Sequence, residues 1–445
     1  MRNLEKQLEL FSSEQAEQRF VSSDSNNIAP EDKAFHEWYR FVLSFPPHLV
    51  RRYLSEFELG VESRVLDPFC GTGTTLVEAK LRGFAGVGLE ANAFPFFASS
   101  VKVDWSLNPD DLLDAAWGVA DEAKVCLRQQ GIDDTQTIGN PRDVELRTLD
   151  PAAERLLIAN SISPFPLHKT LVLLECLKSH EGKRYYGHAL LALGKALVSS
   201  ISNLRFGPEV GVGKQKPDVP VIASWLNEIT RIVEDLRTVQ GMAFPEIFVR
   251  CADARTVAKV LEPLSIDAVI TSPPYPNEKD YTRTTRLESV LLGFYNDRAE
   301  LRHLKQGLVR SNTRNIYKAD DDDRWVQNIS EIQNLADEIE QRRIALGKTS
   351  GFERLYARLT RLYFGGMAKH LAGLRSVLRP GARLAYVVGD QASYFRVMIR
   401  TGQLLALVAK QEGYEVERID LFRTRFATAT KQDLREEVVV LRWPG

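Results

Sequence analysis

Cysteine is scarce in this 445-residue chain. Its four cysteines, Cys70, Cys126, Cys176 and Cys251, lie far apart and form no CxxC pair. That excludes a disulfide framework and argues against a cysteine-based zinc site, and it fits a reducing, cytoplasmic setting. Long apolar runs are missing as well. Stretches such as Leu171–Leu174 and Val438–Leu441 fall far short of the roughly 18 residues that a membrane span needs, so no membrane partner is expected. The segment Met1–Phe11 carries charges throughout and has no apolar core of the kind a secretory signal requires. Net charge is nearly absent too: 58 Lys+Arg against 59 Asp+Glu leave a formal charge of −1. A strongly cationic coat protein is excluded, but a local basic groove is not, because net charge averages over faces.

What is present describes a globular protein. Hydrophobic residues make up 44% and charged residues 26%, enough to bury a large core. The length suggests about three domain-sized units. Residues 1–33, rich in Ser, Gln, Glu and Asn, read as a flexible N-terminal arm. From His36 to Leu59 aromatic and apolar residues recur at helical spacing around Pro46 and Pro47, which predicts helix, turn, helix. Ser63–Asp67 then reads as a strand, Thr74–Arg82 as a helix, Gly86–Glu90 as a second strand and Asn92–Val101 as a second helix. This alternation opens a parallel α/β sheet.

The rhythm breaks between 105 and 245. Helical patterns run over Asp110–Gln130, Asp150–Ile162, Leu167–His180, Gly187–Asn203 and Val221–Thr238, with a Gly/Pro/Lys loop at Phe206–Pro220. Strands resume at Glu246–Arg250 and Ala268–Thr271. A second mainly helical stretch occupies 281–350 and contains the acidic knot Asp320–Asp323. A helix Arg354–Leu378, the turn Arg379-Pro380-Gly381, a strand Ala382–Val388, a helix Phe395–Glu412 and strands Glu415–Phe422 and Glu436–Trp443 follow. The expected organisation is an α/β sheet built from 34–104, 246–280 and 351–445 and interrupted by two helical insertions, 105–245 and 281–350.

Two loops carry the chemistry. The first, Asp67-Pro68-Phe69-Cys70-Gly71-Thr72-Gly73-Thr74-Thr75, follows the first strand and precedes a helix. Gly71 and Gly73 let the backbone turn sharply and approach a ligand. No Lys follows, so this is not a phosphate loop of the GxxxxGK[ST] type, and the third glycine of the dinucleotide pattern is replaced by Leu76. Asp67 would repel a pyrophosphate and favour a ligand bearing sulfonium and ammonium groups, as S-adenosylmethionine does. Glu90 closes the second strand 23 residues after Asp67, the place for a carboxylate that accepts from ribose hydroxyls. Cys70 in this loop is expected to pack, not to act as a nucleophile. The second loop is Ser272-Pro273-Pro274-Tyr275, at the end of the strand Ile266–Thr271. Two prolines donate no backbone hydrogen bonds and fix φ. Their carbonyls and the Ser272 side chain can hold the hydrogens of an exocyclic amino group, while Tyr275 stacks on an extruded base.

With both loops in place, the chain resembles the S-adenosylmethionine-dependent amino-group DNA methyltransferases, which share a D-P-F-x-G-x-G-T-T cofactor loop and a [SDN]-P-P-[YFW] catalytic motif. The resemblance covers about 36–103 and 246–290, with weaker support over 354–443. It implies a Rossmann-like doubly wound methyltransferase sheet. It also implies S-adenosylmethionine binding by Asp67, Pro68, Phe69, Gly71, Gly73, Thr74 and Glu90, by Asp253 at the adenine, and by Phe45 and Pro46 near the methionine end. Catalysis falls to Ser272, Pro273, Pro274 and Tyr275. Ser at the first catalytic position points to cytosine N4. The alternatives are adenine N6 transfer, an RNA base methyltransferase, and a non-catalytic subunit of a defence complex. Double-stranded DNA is the expected substrate, with a restriction or defence-system partner. The 163 positions between Glu90 and Asp253 depart from the usual family layout.

Phosphate contacts are expected from residues 279–318, where nine Lys/Arg stand against four Asp/Glu with tyrosines interleaved. Lys279, Arg283, Arg286, Arg310 and Arg314 are the candidates. Lys195, Arg205, Lys214 and Lys216 form a second set, and Arg423 and Arg425 a third. His36 and His48 are expected to pack or cap. The Asp320–Asp323 run reads as a solvated loop, and no metal site is expected.

Overall fold

The computed structural model describes residues 28–40, 44–135, 145–207, 209–427 and 432–445; most of the expected N-terminal arm lies outside them. Its centre is a seven-stranded sheet in the order β5-β2-β1-β6-β7-β9-β8. The strands are β1 (Arg64–Asp67), β2 (Ala85–Glu90), β5 (Ile247–Cys251), β6 (Ile266–Thr271), β7 (Leu378–Gly389), β8 (Glu415–Ala427) and β9 (Gln432–Arg442). The first five in the spatial order run parallel, and β9 is antiparallel to both β7 and β8. This is the parallel α/β sheet that the alternation of strands and helices predicts, Rossmann-like and doubly wound as the resemblance implies.

Strand alternation sorts the core onto two faces. Leu66, Leu89, Ile266, Val269, Leu384 and Tyr386 pack on one side with the helix Tyr356–Leu374. Val65, Ala268, Ile270, Ala385, Val387 and Val438 face the other side, against the helix Pro47–Glu56. Tight packing on β2 requires glycine: a Cβ at Gly88 would lie 2.5 Å from Leu76 Cδ1, on the helix Thr74–Leu81. The helices Pro109–Gln129, Pro164–Lys178, Tyr186–Ala196 and Val221–Val239 share a further core, in which the Trp225 indole donates to Ala189 O at 2.8 Å.

The chain leaves β1 for β2 and β5 on one side and for β6 and β7 on the other. The switch in direction falls between β1 and β6, and ligands bind at the carboxyl ends of strands flanking such a point. Thr271 Oγ1, ending β6, donates to Asp67 Oδ1, ending β1, at 2.6 Å. Both sequence-predicted loops leave the sheet there.

Several elements differ from expectation. The helix expected over Asp150–Ile162 stops at Glu154, and Asn160 beyond it has φ +61°. The helix expected from Phe395 begins at Thr401, because Phe395 and Arg396 adopt φ of +55° and +63°, which no helix accommodates. Residues 36–59 hold one turn of 3-10 helix, His36–Trp38, and one α-helix, Pro47–Glu56, with 41–43 outside the described residues. The Gly/Pro/Lys loop contains a small hairpin, β3 (Leu204–Arg205) with β4 (Gly211–Val212). Among the described residues no helix is long and apolar enough to cross a membrane.

Candidate functional site

The glycine loop turns because Gly71 and Gly73 adopt φ of +51° and +84°. That turn aims the Gly71 N–H at Glu90 Oε2 (2.9 Å), while the Asn92 N–H caps Oε1 at 2.7 Å. Burial pushes the Glu90 carboxyl up to about 7. Gly73 starts the helix Thr74–Leu81, and a Cβ on it would meet Ser99 Cβ at 3.1 Å. Beneath the loop Lys102, fully buried, donates to Thr72 O at 2.8 Å and to Tyr39 O at 3.1 Å. Burial lowers its ammonium to about 7. Nothing in the local sequence pattern marks this lysine, because its partners are backbone carbonyls brought in by folding.

A cavity of about 400 Å³ opens above the carboxyl ends of the strands. Phe45, Pro68, Phe69, Gly71, Thr74, Glu90 and Asp253 line it together with Ser272, Pro273, Pro274 and Tyr275. Folding thus brings most of the residues expected for cofactor and catalysis to one place. Three expected cofactor residues stand outside the lining: Pro46 and Asp67 are buried, and Gly73 serves the turn. Asp67 is a correction to the expectation of direct contact. It is inaccessible and braces the loop from below, accepting from Phe69 N at 3.2 Å and from Thr271 Oγ1. Burial raises its carboxyl to about 6. Cys70 is buried, with Sγ 3.8 Å from Ser99 Oγ, and burial holds its thiol well above the ordinary range.

Asp253 is gripped by Arg255, whose Nη2 lies 2.7 Å from Asp253 Oδ2 and whose Nε lies 3.0 Å from Oδ1. The same guanidinium bonds Asp322 and reaches Gln306 O at 3.3 Å. Asp322 also accepts from Lys369 Nζ at 2.9 Å. The acidic knot is therefore partly a buried ion-pair hub, not the solvated loop expected from sequence. Its backbone rests on the helix Tyr356–Leu374, where a Cβ at Gly365 would collide with Asp322 O at 1.9 Å. Nearby, Phe69 packs edge-on against His370, ring centroids 4.9 Å apart. The His370 ring nitrogens pair with Ala254 O and the Tyr386 hydroxyl, and burial lowers its pKa to about 4. Among the described residues no cluster of His, Cys, Asp and Glu could hold a metal ion.

The catalytic loop is fixed from three sides. The Ser272 hydroxyl donates to Val387 O at 3.0 Å, which leaves its lone pairs available as acceptors. The Tyr281 hydroxyl accepts from the Tyr275 N–H at 3.1 Å. The Tyr275 ring rests against the end of β7, where a Cβ at Gly389 would approach Tyr275 Cε2 to 3.1 Å. Gln391, Arg423 and Glu436 line the adjoining wall, the last two joined by paired 2.7 Å bonds. Arg423, one of the cations expected to meet phosphates, is thus held by a carboxylate, and no motif announces Gln391 or Glu436, since β7 and the β8–β9 hairpin reach the cavity only through sheet pairing.

The basic stretch divides on folding. Arg310 is 4% exposed; it makes two 2.8 Å bonds to Asp320 and donates to Lys305 O and Gln306 O. Arg286 donates to Thr282 and Leu156 O and lies 3.8 Å from Asp280. These two are internal braces, which corrects their expected placement as surface cations. Lys279 lines the cavity, Arg283 is half-buried and Arg314 is exposed.

No family model matches the chain. It is 26% identical over 440 residues to the Type II methyltransferase M.BsoBI of Geobacillus stearothermophilus, covering 93% of this chain and 85% of that protein. It is 24% identical over 458 residues to the Type II methyltransferase M.AvaI of Nostoc sp. and to that of Anabaena variabilis, covering 97% of this chain and 90% of each. The similarity spans most of the chain, and it supports an enzyme of the methyltransferase class.

Proposed function

We propose that this protein is an S-adenosylmethionine-dependent DNA methyltransferase that modifies the exocyclic N4 amino group of cytosine in a specific sequence. One observation carries the reading: the glycine loop with Glu90 and the Ser-Pro-Pro-Tyr loop line a single cavity at the switch point of the sheet. The residues fit the cofactor. Each Glu90 oxygen holds one backbone N–H and retains capacity to accept from a ribose hydroxyl. Phe69 and Pro95 offer apolar walls, and Asp253 faces the same space. S-adenosylmethionine, when bound, supplies an electrophilic methyl carbon.

The protein's own part is to present the amino nitrogen. The lone pair of a cytosine amino group is delocalised into the ring. Ser272 Oγ, its hydrogen already given to Val387 O, accepts one amino hydrogen, and the Pro273 carbonyl accepts the other. This favours a pyramidal, nucleophilic nitrogen. Tyr275, seated on Gly389, stacks on the extruded base. Lys279, Arg283 and Arg314 meet phosphates, and a neutral Ser in place of an acid suits the cytosine amino group. The type II methyltransferase relatives support a restriction-modification setting. To test the reading, purified protein is incubated with duplex DNA and labelled cofactor, and the product is digested to nucleosides. Label in N4-methylcytosine is expected. Label confined to N6-methyladenine overturns the base, and label in RNA alone overturns the polymer.

A further inference from the structure

We infer that the β3–β4 hairpin of the first insertion grips double-stranded DNA beside the cavity mouth, with Arg205 and Lys214 as its phosphate contacts. The inference rests on the DNA methyltransferase reading and goes further, giving a task to an insertion that interrupts the cofactor half of the sheet. Gly207, in the hairpin turn, lines the same cavity as Ser272 and Tyr275. Its hairpin lies within electrostatic reach of Lys279, which follows the catalytic loop. Lys279 feels Glu209 of the hairpin as an attracting charge and Arg425 of the β8–β9 hairpin as a repelling one. Lys279 and Arg425 both line the cavity as well. Residues of two hairpins more than 200 positions apart in sequence therefore line one cavity with the catalytic loop.

The β3–β4 hairpin is anchored at its root and presented at its tip. Asn203, almost fully buried, receives the Gly213 N–H on its carbonyl (2.7 Å) and the Lys216 N–H on Oδ1 (2.8 Å). Its own Nδ2 donates to Asn160 O and Ser163 Oγ, both at 3.0 Å. Lys216 Nζ donates to Ser200 O at 2.7 Å, so that lysine belongs to the root. A π-helical turn, Leu197–Ile201, leads into the hairpin, a distortion that is frequent at functional sites. Arg205 and Lys214 are exposed on either side of the turn. A rigid root with exposed cations beside a base pocket matches what a duplex needs when one of its bases enters that pocket: its neighbouring phosphates must lie along the rim.

The test uses the full-length protein and mixed-sequence duplex DNA. Arg205→Ala/Lys214→Ala is compared with wild type and with Lys178→Ala/Lys183→Ala. That control removes two exposed cations, Lys178 at the far end of the helix Pro164–Lys178, about 20 Å along the helix from Ser163, and Lys183 in the turn beyond it. For the hairpin variant, DNA affinity should fall about tenfold and the slope of log K against log salt should flatten by about 2. Its calorimetric affinity for S-adenosylmethionine should stay at the wild-type value, which also shows that it is folded. The control should change neither. Unchanged DNA affinity and slope in the hairpin variant overturn the inference. So does an equal loss in the control, or a loss confined to duplex RNA. Wild-type protein that neither binds nor methylates DNA overturns the methyltransferase reading itself.

Discussion

The glycine loop and the basic stretch beyond the catalytic loop each present residues suited to a ligand, and folding treats them in opposite ways. In the loop 67–75 the chemistry is set by the backbone. Glycine conformations turn Gly71 toward Glu90, and most of the residues expected to face the cofactor do face the cavity. In 279–318 the chemistry is side-chain charge. There Arg310, Arg286 and Lys305 are bound by Asp320, Asp280 and backbone carbonyls inside the protein. Backbone geometry is dictated locally. Whether a cation reaches solvent depends on carboxylates that folding brings to it.

The contrast is sharpest in stability. Arg310→Ala leaves the half-buried Asp320 with only the Tyr317 N–H as partner and should destabilise the fold by about 3 kcal/mol. Urea unfolding measures this, and a loss below 1 kcal/mol would place Arg310 among the surface cations after all. Next in size, Tyr275→Ala removes a stacking surface worth about 1–3 kcal/mol. It should lower kcat/KM by 5- to 150-fold while calorimetric cofactor affinity stays unchanged; lost cofactor binding would show that the ring supports the loop and not the base.

A pH titration tests the glycine loop directly. Burial raises the Glu90 carboxyl to about 7 in the free protein. Ribose hydroxyls donate to the ionised form, so cofactor binding must expel the proton. Affinity should be highest above pH 7 and fall by up to tenfold per unit below it. Glu90→Gln should bind more weakly and show no such slope, and a pH-independent wild type would remove Glu90 from the site. The sign for folding is opposite: a carboxyl raised above its unfolded value favours the folded state at low pH, and that contribution is lost as pH rises from about 4.5 through 7. The smallest effect belongs to Arg314, which is exposed. Arg314→Ala should leave stability within about 0.5 kcal/mol and flatten the salt dependence of DNA binding by about 1. A loss of stability comparable to that of Arg310→Ala would erase the distinction between them.

Much of the fold was legible because its signals are local. Short apolar strands bounded by glycine or proline turns marked β1, β2 and β6, and helical spacing marked Val221–Val239 within a residue. Where the reading failed, a tertiary contact or a backbone conformation overrode the pattern. Phe395 and Arg396 look helical but take left-handed φ in a loop held by a bridge between Gln391 and Ile399. Asp322 looks solvated among four consecutive aspartates, yet Arg255 lies 67 positions away in sequence and beside it in space. The only local trace of that hub is Arg255 itself, two residues after Asp253.

By itself, then, the sequence determined the parallel sheet, the two glycines, Glu90 and the rigid Ser-Pro-Pro-Tyr turn, because each depends on conformational preferences within a few residues. Only the tertiary structure decided that Asp67 braces the loop from beneath the cavity, that Gly389 seats Tyr275, and that Gly207 and Arg425 line one cavity. Those relations depend on burial and on contacts between segments hundreds of residues apart, which no local preference encodes.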